Sequence, residues 1–317
     1  MLKPRLTRYP HRITAVDAEY IRSGLAAVHI VEQAGRAAFV DTGTTHSVPY
    51  LLAALAELGI ERSAVDFIFL THVHLDHAGG AGALLAELPN ARAVVHPRGA
   101  PHLINPEKLI AASILVYGEE TYRRLYGELV PMPVARVLQT RDLERLTLGG
   151  RQFEFIHTPG HALHHQAIVD LAYSGIFTGD TFGMSYRETD TAKGAFIIPT
   201  TTPTQFDPEQ LVHSIDRVAD YAPEQVYLTH YGRVTGVQTL AHALKRQVHE
   251  FVRIALEHAA APDRSAAITA ALRELWRDLA REHGCRLSDA EFDACLGKDI
   301  ELNVHGLIAW LDRTNKA

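Results

Sequence analysis

Four residues able to bind a metal ion stand close together in Phe67-Ile-Phe-Leu-Thr-His-Val-His-Leu-Asp-His-Ala-Gly-Gly80: His72, His74, Asp76 and His77. Imidazole and carboxylate are the donors that hold zinc, iron or manganese. The run before them is apolar and strand-forming, so the ligands would be presented from a rigid base. One tetrahedral ion cannot use all four and keep a position open for chemistry. The spacing therefore points to two ions side by side, with more ligands supplied from elsewhere. Three candidates stand out: His161 in Ile156-His-Thr-Pro-Gly-His161, Asp180 in Ile176-Phe-Thr-Gly-Asp180, and His230 in Gln225-Val-Tyr-Leu-Thr-His230. Each follows a short apolar run, and Pro159-Gly160 forces a turn before His161. All three can converge on one edge of a sheet.

This set of motifs resembles the metallo-β-lactamase superfamily. The resemblance rests on H-x-H-x-D-H at His72, His74, Asp76 and His77, T-P-G-H ending at His161, F-T-G-D ending at Asp180, and the late His230. The Val40-Asp-Thr-Gly43 turn fits as well, so the likeness spans about residues 20–235. It implies an α+β fold, a four-layer αββα sandwich, followed here by a helical C-terminal extension. It further implies that His72, His74 and His161 bind one metal, that Asp76, His77 and His230 bind the other, and that Asp180 bridges them. No ligand position is missing.

Two divalent ions about 3.5–4 Å apart lower the pKa of a bridging water towards 7, which makes hydroxide available at neutral pH. The expectation is a metal-dependent hydrolase that uses this hydroxide on a small-molecule ester or thioester, with lactone or amide cleavage also open. Zinc is the first choice of metal, with iron and manganese as alternatives. Asp76 would orient the hydroxide or take its proton. The rival reading is an iron-dependent redox enzyme, such as a sulfur dioxygenase-like protein of the same fold. A histidine at position 74 argues against the flavin-coupled diiron branch, which carries glutamate there.

Around the ligands, Asp41 is expected to orient a ligand histidine, as metal-bound imidazoles usually require. His157 is a candidate for a supporting hydrogen bond. Tyr186 and Tyr231 are candidate donors to a developing oxyanion or contacts to substrate. His164 and His165 read as spare, and His29, His96 and His102 as structural.

Composition agrees with a soluble, cytoplasmic enzyme. The net charge is −6 and charged residues make up 21% of the 317 positions, which gives no electrostatic grip on nucleic acid. No apolar stretch reaches the roughly 18 residues expected of a membrane span. The basic N-terminus has no apolar segment behind it, so it does not read as a secretory signal. Two cysteines, Cys285 and Cys295, are expected to be reduced thiols.

The elements that must position these residues read as a catalytic unit over 1–235 and a helical extension over 236–317. Strands at 26–31 and 37–40 flank a hairpin turn at Ala34-Gly35-Arg36. A helix over 47–58 stops at Gly59, a strand covers 66–70, and a helix lies near 80–88. Leu109 to Leu125 reads as one helix, either a surface-packed insertion or a wall of the substrate pocket. Helices follow at 239–259, 263–282, 288–296 and 302–311, with Ser288-Asp-Ala-Glu291 as a capping box. Such an extension can border the substrate site, as in the glyoxalase II type, or form a homodimer contact.

Overall fold

Strands buried on both faces, with alternate residues turned to different layers, build two sheets that share one apolar filling. In a computed structural model, which describes residues 2–202 and 205–314, the first sheet has seven strands in chain order. They are β1 (Leu6–Tyr9), β2 (Ile13–Asp17), β3 (Ala27–Gln33), β4 (Arg36–Val40), β5 (Val65–Phe69), β6 (Arg92–Val95) and β7 (Val137–Gln139). The second has six, β8 (Glu144–Leu148), β9 (Arg151–His157), β10 (Gln166–Asp170), β11 (Gly175–Gly179), β12 (Gln225–Leu228) and β13 (Gly232–Thr235).

Residues alternate between layers along each strand. In β4, Ala38 and Val40 face the second sheet, while Ala37 and Phe39 face helices. Phe67, Phe69, Phe153, Phe155 and Phe177 fill most of the space between the sheets. On the outer face of the first sheet lie α1 (Val48–Leu58), α2 (Leu75–Ala78), α3 (Ala81–Glu87), α4 (Ala100–Ile104), α5 (Glu107–Tyr117) and α6 (Glu119–Tyr126). The outer face of the second is covered by α7 (Pro208–Asp220), α8 (Val237–Glu257), α9 (Arg264–His283) and α10 (Asp289–Thr314). The result is an αββα sandwich whose C-terminal helices share one apolar cluster with the second sheet, from Ile156 through Trp276 to Leu311.

Helix lengths differ from the sequence expectation in two places. Leu109 to Leu125 is two helices, because Gly118 sits at φ 77, outside the helical region. Conversely, 288–296 and 302–311 belong to one helix, α10, which runs through Gly297. A mid-helix glycine costs about 1 kcal/mol, and the buried stripe Phe292, Leu296, Ile300, Val304, Leu307 and Leu311 outweighs that. The Ser288/Glu291 capping box is present, with Ser288 N donating to Glu291 Oε2 at 2.8 Å.

The segment between β6 and β7 packs on the first sheet through Tyr122 and Tyr126. Tyr126 also meets Tyr20 of the β2–β3 loop, the hydroxyls lying 3.2 Å apart.

Far from the metal-ligand residues, Arg151 and Asp170 form an ion pair with side chains 1% and 0% exposed. Arg151 also donates to the His11 carbonyl at 2.8 Å. Arg151→Ala should cost about 3–5 kcal/mol, because it strands a buried carboxylate. Urea unfolding measures this, and a change below about 1 kcal/mol would show that the pair is dispensable.

Candidate metal centre

The residues named from the sequence meet where strands of both sheets end. His72 and Asp41 follow β5 and β4, His161 follows β9, Asp180 follows β11 and His230 follows β12. The sheets are tied together at this edge by Gln166 N donating to Thr71 O and Ala27 N to Thr229 O, each at 2.8 Å. After Leu70 the chain turns sharply into α2, a single turn that carries Asp76 and His77. The Asp41–Thr44 turn clamps this segment, with Thr42 N donating to the His77 carbonyl at 2.7 Å. Gly80 is required beside it, because a Cβ there would lie 2.6 Å from Thr44 O.

Two groups of ligand atoms form. His72, His74 and His161 converge, as do Asp76, His77 and His230; within each, the ligand atoms lie within 4.8 Å of one another. A third overlapping group, His72, His77 and Asp180, shows that the two adjoin. In the first, His74 Nδ1 lies 2.8 Å from His72 Nε2 and 3.0 Å from His161 Nε2. In the second, Asp76 Oδ2 lies 3.7 Å from His77 Nε2 and 3.5 Å from His230 Nε2. Asp180 stands between them. Its Oδ1 is 3.3 Å from His77 Nε2 and 3.7 Å from His230 Nε2, while its Oδ2 is 3.4 Å from His161 Nε2.

The outer nitrogens set which inner nitrogen is bare. His230 Nδ1 donates to Leu25 O at 2.8 Å and His161 Nδ1 to Thr200 O at 3.3 Å. His77 Nδ1 donates to Asp41 Oδ2 at 3.1 Å. Thr71 Oγ1 donates to Asp41 and can therefore accept from His72 Nδ1, 3.1 Å away. The Nε2 atoms of all four imidazoles then face inward, each a ligand once it carries no proton.

His77 Nε2 and Asp180 Oδ1 are buried, and neither has an aligned hydrogen-bond partner. Buried polar atoms are rarely left so. Opposed acceptors at this spacing fit a divalent cation between them.

Electrostatics agree. Burial, then the neighbouring imidazoles, hold His72 and His74 well below the ordinary histidine range, so both stay neutral ligands. Burial would lower His77 too, but the Asp180 and Asp76 carboxylates carry it well above. His230 is likewise raised against burial, by Asp180 and Asp76. Burial would raise Asp180, yet His77, His230 and His161 hold it well below the carboxylate range. The carboxylates therefore favour a proton on His77 and on His230 in the metal-free protein, and an incoming ion must displace any such proton. Zinc affinity should therefore rise with pH and binding should release protons. Calorimetry in buffers of different ionisation enthalpy tests this, and uptake without proton release at pH 6 would contradict the charge assignment.

Asp41 is where the sequence reading places it, but it does more than orient His77. It also accepts from Thr71 N at 2.8 Å and Thr229 Oγ1 at 3.0 Å, which joins the ends of β4, β5 and β12. Four other residues make contacts different from those their candidate roles call for. His157 has no ligand among its contacts; its ring packs on His96, centroids 4.1 Å apart, with Thr140 Oγ1 at 3.4 Å. As the last residue of β9 it lies at the same edge, but its ring meets His96 and Thr140, which follow β6 and β7.

Tyr186 is 2% exposed and its hydroxyl donates to Asp299 Oδ1 at 3.3 Å, so it faces α10 rather than the ligands. Burial pushes the Asp299 carboxyl up to about 7. The Tyr231 hydroxyl lies against Thr7, with Asp17 and Tyr9 near, and burial raises it to about 12. Neighbouring side chains at a strand end diverge, so following a ligand does not aim Tyr231 at the ion.

His165 is not spare. It is fully buried, its Nδ1 lies 2.8 Å from Thr158 Oγ1, and its Nε2 accepts from Asp180 N at 3.1 Å. It thus fixes the backbone of Asp180. His29 is a core histidine among Tyr9, Phe177 and Tyr227, lowered to about 3 by burial.

A family model described as the metallo-beta-lactamase superfamily matches residues 23–230, the span that holds every ligand candidate. The chain belongs to this superfamily. A metallo-beta-lactamase fold-containing protein of Sulfurisphaera tokodaii, ST1585, is 30% identical over 196 residues, 58% of this chain and 70% of that one. Its solved structure superposes with a TM-score of 0.65, covering 94% of this chain and 99% of that chain at 22% identity. The superfamily protein TTHA1429 of Thermus thermophilus gives a TM-score of 0.64 at 22% identity, covering 99% and 93%. A hydroxyacylglutathione hydrolase of Aeromonas hydrophila is 32% identical over 146 residues, 45% of this chain but only 41% of that protein.

Other features are consistent with the sequence reading. Cys285 and Cys295 are free thiols. Among the described residues no helix is long and apolar enough to cross a membrane.

Proposed function

We propose that this superfamily member is a binuclear metal-dependent hydrolase acting on an ester- or thioester-type acyl bond of a small molecule. The observation that carries the reading is Asp180, whose two oxygens face different ligand groups, Oδ1 towards His77 and His230 and Oδ2 towards His161. A bridging carboxylate between two imidazole-rich groups supports two ions rather than one. We take zinc as the metal, since the donors are nitrogen and oxygen and both groups match its ligand preferences.

Bound there, two divalent ions would supply an acidified water and a Lewis-acid hold on the substrate carbonyl. The chain's own contribution is geometric and protonic. His72, His74 and His161, kept neutral, define one position; His77 and His230, turned inward by Asp41 and Leu25 O, define the other. Asp76 is the more open of the two carboxylates, its side chain 22% exposed against 8% for Asp180. That opening suits Asp76 to orient the nucleophile and accept its proton, with Asp180 setting the spacing of the two positions. We place this machinery in residues 1–235 and treat 236–317 as the part that supports it.

The hydroxyacylglutathione hydrolase relative supports a thioester as the first substrate class to try. The test is a panel of thioesters, esters and lactones assayed with zinc-loaded protein beside an oxygen electrode. Hydrolysis of a thioester or ester without oxygen uptake is the expected result. Oxygen consumption by iron-loaded protein on a sulfur substrate, with no hydrolysis anywhere in the panel, would replace this reading with a redox one.

A further inference from the structure

The loop that carries His161 is held from two sides. On one, Gly160 packs so closely on α7 that a Cβ would lie 2.2 Å from Leu211 N, and Ser214 Oγ donates to Pro159 O at 2.6 Å. On the other lies the segment 200–202. Thr200 O accepts from His161 Nδ1, and Thr202 Oγ1 donates to the His161 carbonyl at 2.7 Å. The middle residue of this segment is bound to α10. Thr201 N donates to Asn303 Oδ1 at 2.9 Å and Thr201 Oγ1 to Asn303 O at 3.1 Å.

Asn303 is 1% exposed, and its Nδ2 donates back to Asp299 O at 2.8 Å, which fixes the amide with its oxygen towards Thr201. One turn on, Gly306 leaves no room for a side chain: a Cβ would stand 2.1 Å from Thr201 Oγ1 and 3.1 Å from Thr202 N. Helix and segment therefore meet backbone to backbone.

We infer that Asn303 of α10 is a positioning residue for the metal centre, acting through Thr201 and the flanking Thr200 and Thr202 to set the ring and backbone of His161. The inference rests on the proposed reading of the site. It gives the last helix a role in metal affinity rather than in stability alone. The physical basis is that a ligand imidazole is oriented by the group its other nitrogen meets, and loss of such a partner typically costs about 10–100-fold in metal affinity. Here that group is a main-chain carbonyl, and α10 fixes the segment that presents it.

The test is a cobalt(II) titration of full-length, metal-free protein, followed by visible absorption and by competition with a chelator. Asn303→Leu removes both amide hydrogen bonds, and Thr202→Val removes only the hydroxyl that reaches His161 O, so the second variant serves if the first folds poorly. Asn303→Asp keeps the acceptor for Thr201 N and should recover part of the loss. Arg151→Ala, destabilised far from the site, controls for stability alone. The expected result is that one of the two binding steps weakens by about 10–100-fold in Asn303→Leu and by less in Thr202→Val, while Arg151→Ala binds as wild type.

Wild-type affinities in both Asn303→Leu and Thr202→Val would overturn the inference and leave the reading of the site intact. A wild-type protein that takes up fewer than two ions, or a His161→Ala variant that titrates normally, would remove the reading itself.

Discussion

Asp180→Ala should reduce metal content from two ions per chain to one or none and lower kcat/KM on the best acyl substrate by on the order of 10³-fold, the upper end of what one electrostatic group usually contributes. The size follows from position. Asp180 is the residue whose oxygens reach both ligand groups, and it is buried with no aligned hydrogen bond to Oδ1. Removing it takes a ligand from both positions, together with a negative charge that offsets the two cations. The fold should survive, because Asp180 lies at the sheet edge and belongs to none of the three apolar clusters. Its backbone N–H would still donate to His165. Elemental analysis and circular dichroism of the purified variant check both halves. Two ions and near wild-type turnover would show that Asp180 does not bridge.

Asp41→Ala should do the reverse: damage stability most and the metal site second. The Asp41 carboxylate accepts from Thr71 N, Thr71 Oγ1, Thr229 Oγ1 and His77 Nδ1, and it is 1% exposed. Alanine would leave these donors buried without partners, each costing about 1–3 kcal/mol. Four such donors make a loss of about 4 kcal/mol or more, in the range for breaking a buried charged pair. His77 would also lose the acceptor that fixes its tautomer, which should weaken the Asp76, His77 and His230 position by about 10–100-fold. Asp41→Asn should fall between, because an amide oxygen accepts from Thr71 while its NH₂ cannot accept from His77. Urea unfolding and metal competition separate the two effects. A variant as stable as wild type would mean that water replaces the carboxylate at this edge.

What was legible in the sequence follows from how each feature is encoded. That the seven candidate ligand residues meet was legible because they follow four short apolar runs, and strand ends at one edge converge whatever the details of packing. The hairpin turn at Ala34-Gly35, the α1 stop at Gly59 and the Ser288 cap were legible because they are local events. Directions of side chains were not.

Tyr231 next to His230, and His157 four residues before His161, lie near ligands along the chain but point elsewhere. The supporting contacts were hidden for the opposite reason. Thr201 and Asn303 are 102 positions apart, and Asp41 and Thr229 are 188 apart. Only the packed sandwich brings such pairs together. His165 carried one usable signal: it directly precedes the fully buried strand β10, and a polar side chain buried there calls for a partner.

In the proposed centre two cations share Asp180. Metal content of protein purified without added metal, measured beside X-ray absorption at the zinc edge, tests it most directly. About two zinc ions per chain, with imidazole and oxygen ligands and a metal–metal distance of about 3.5–4 Å, are expected. One ion per chain, with no metal–metal scattering even after zinc is added to saturation, would contradict it.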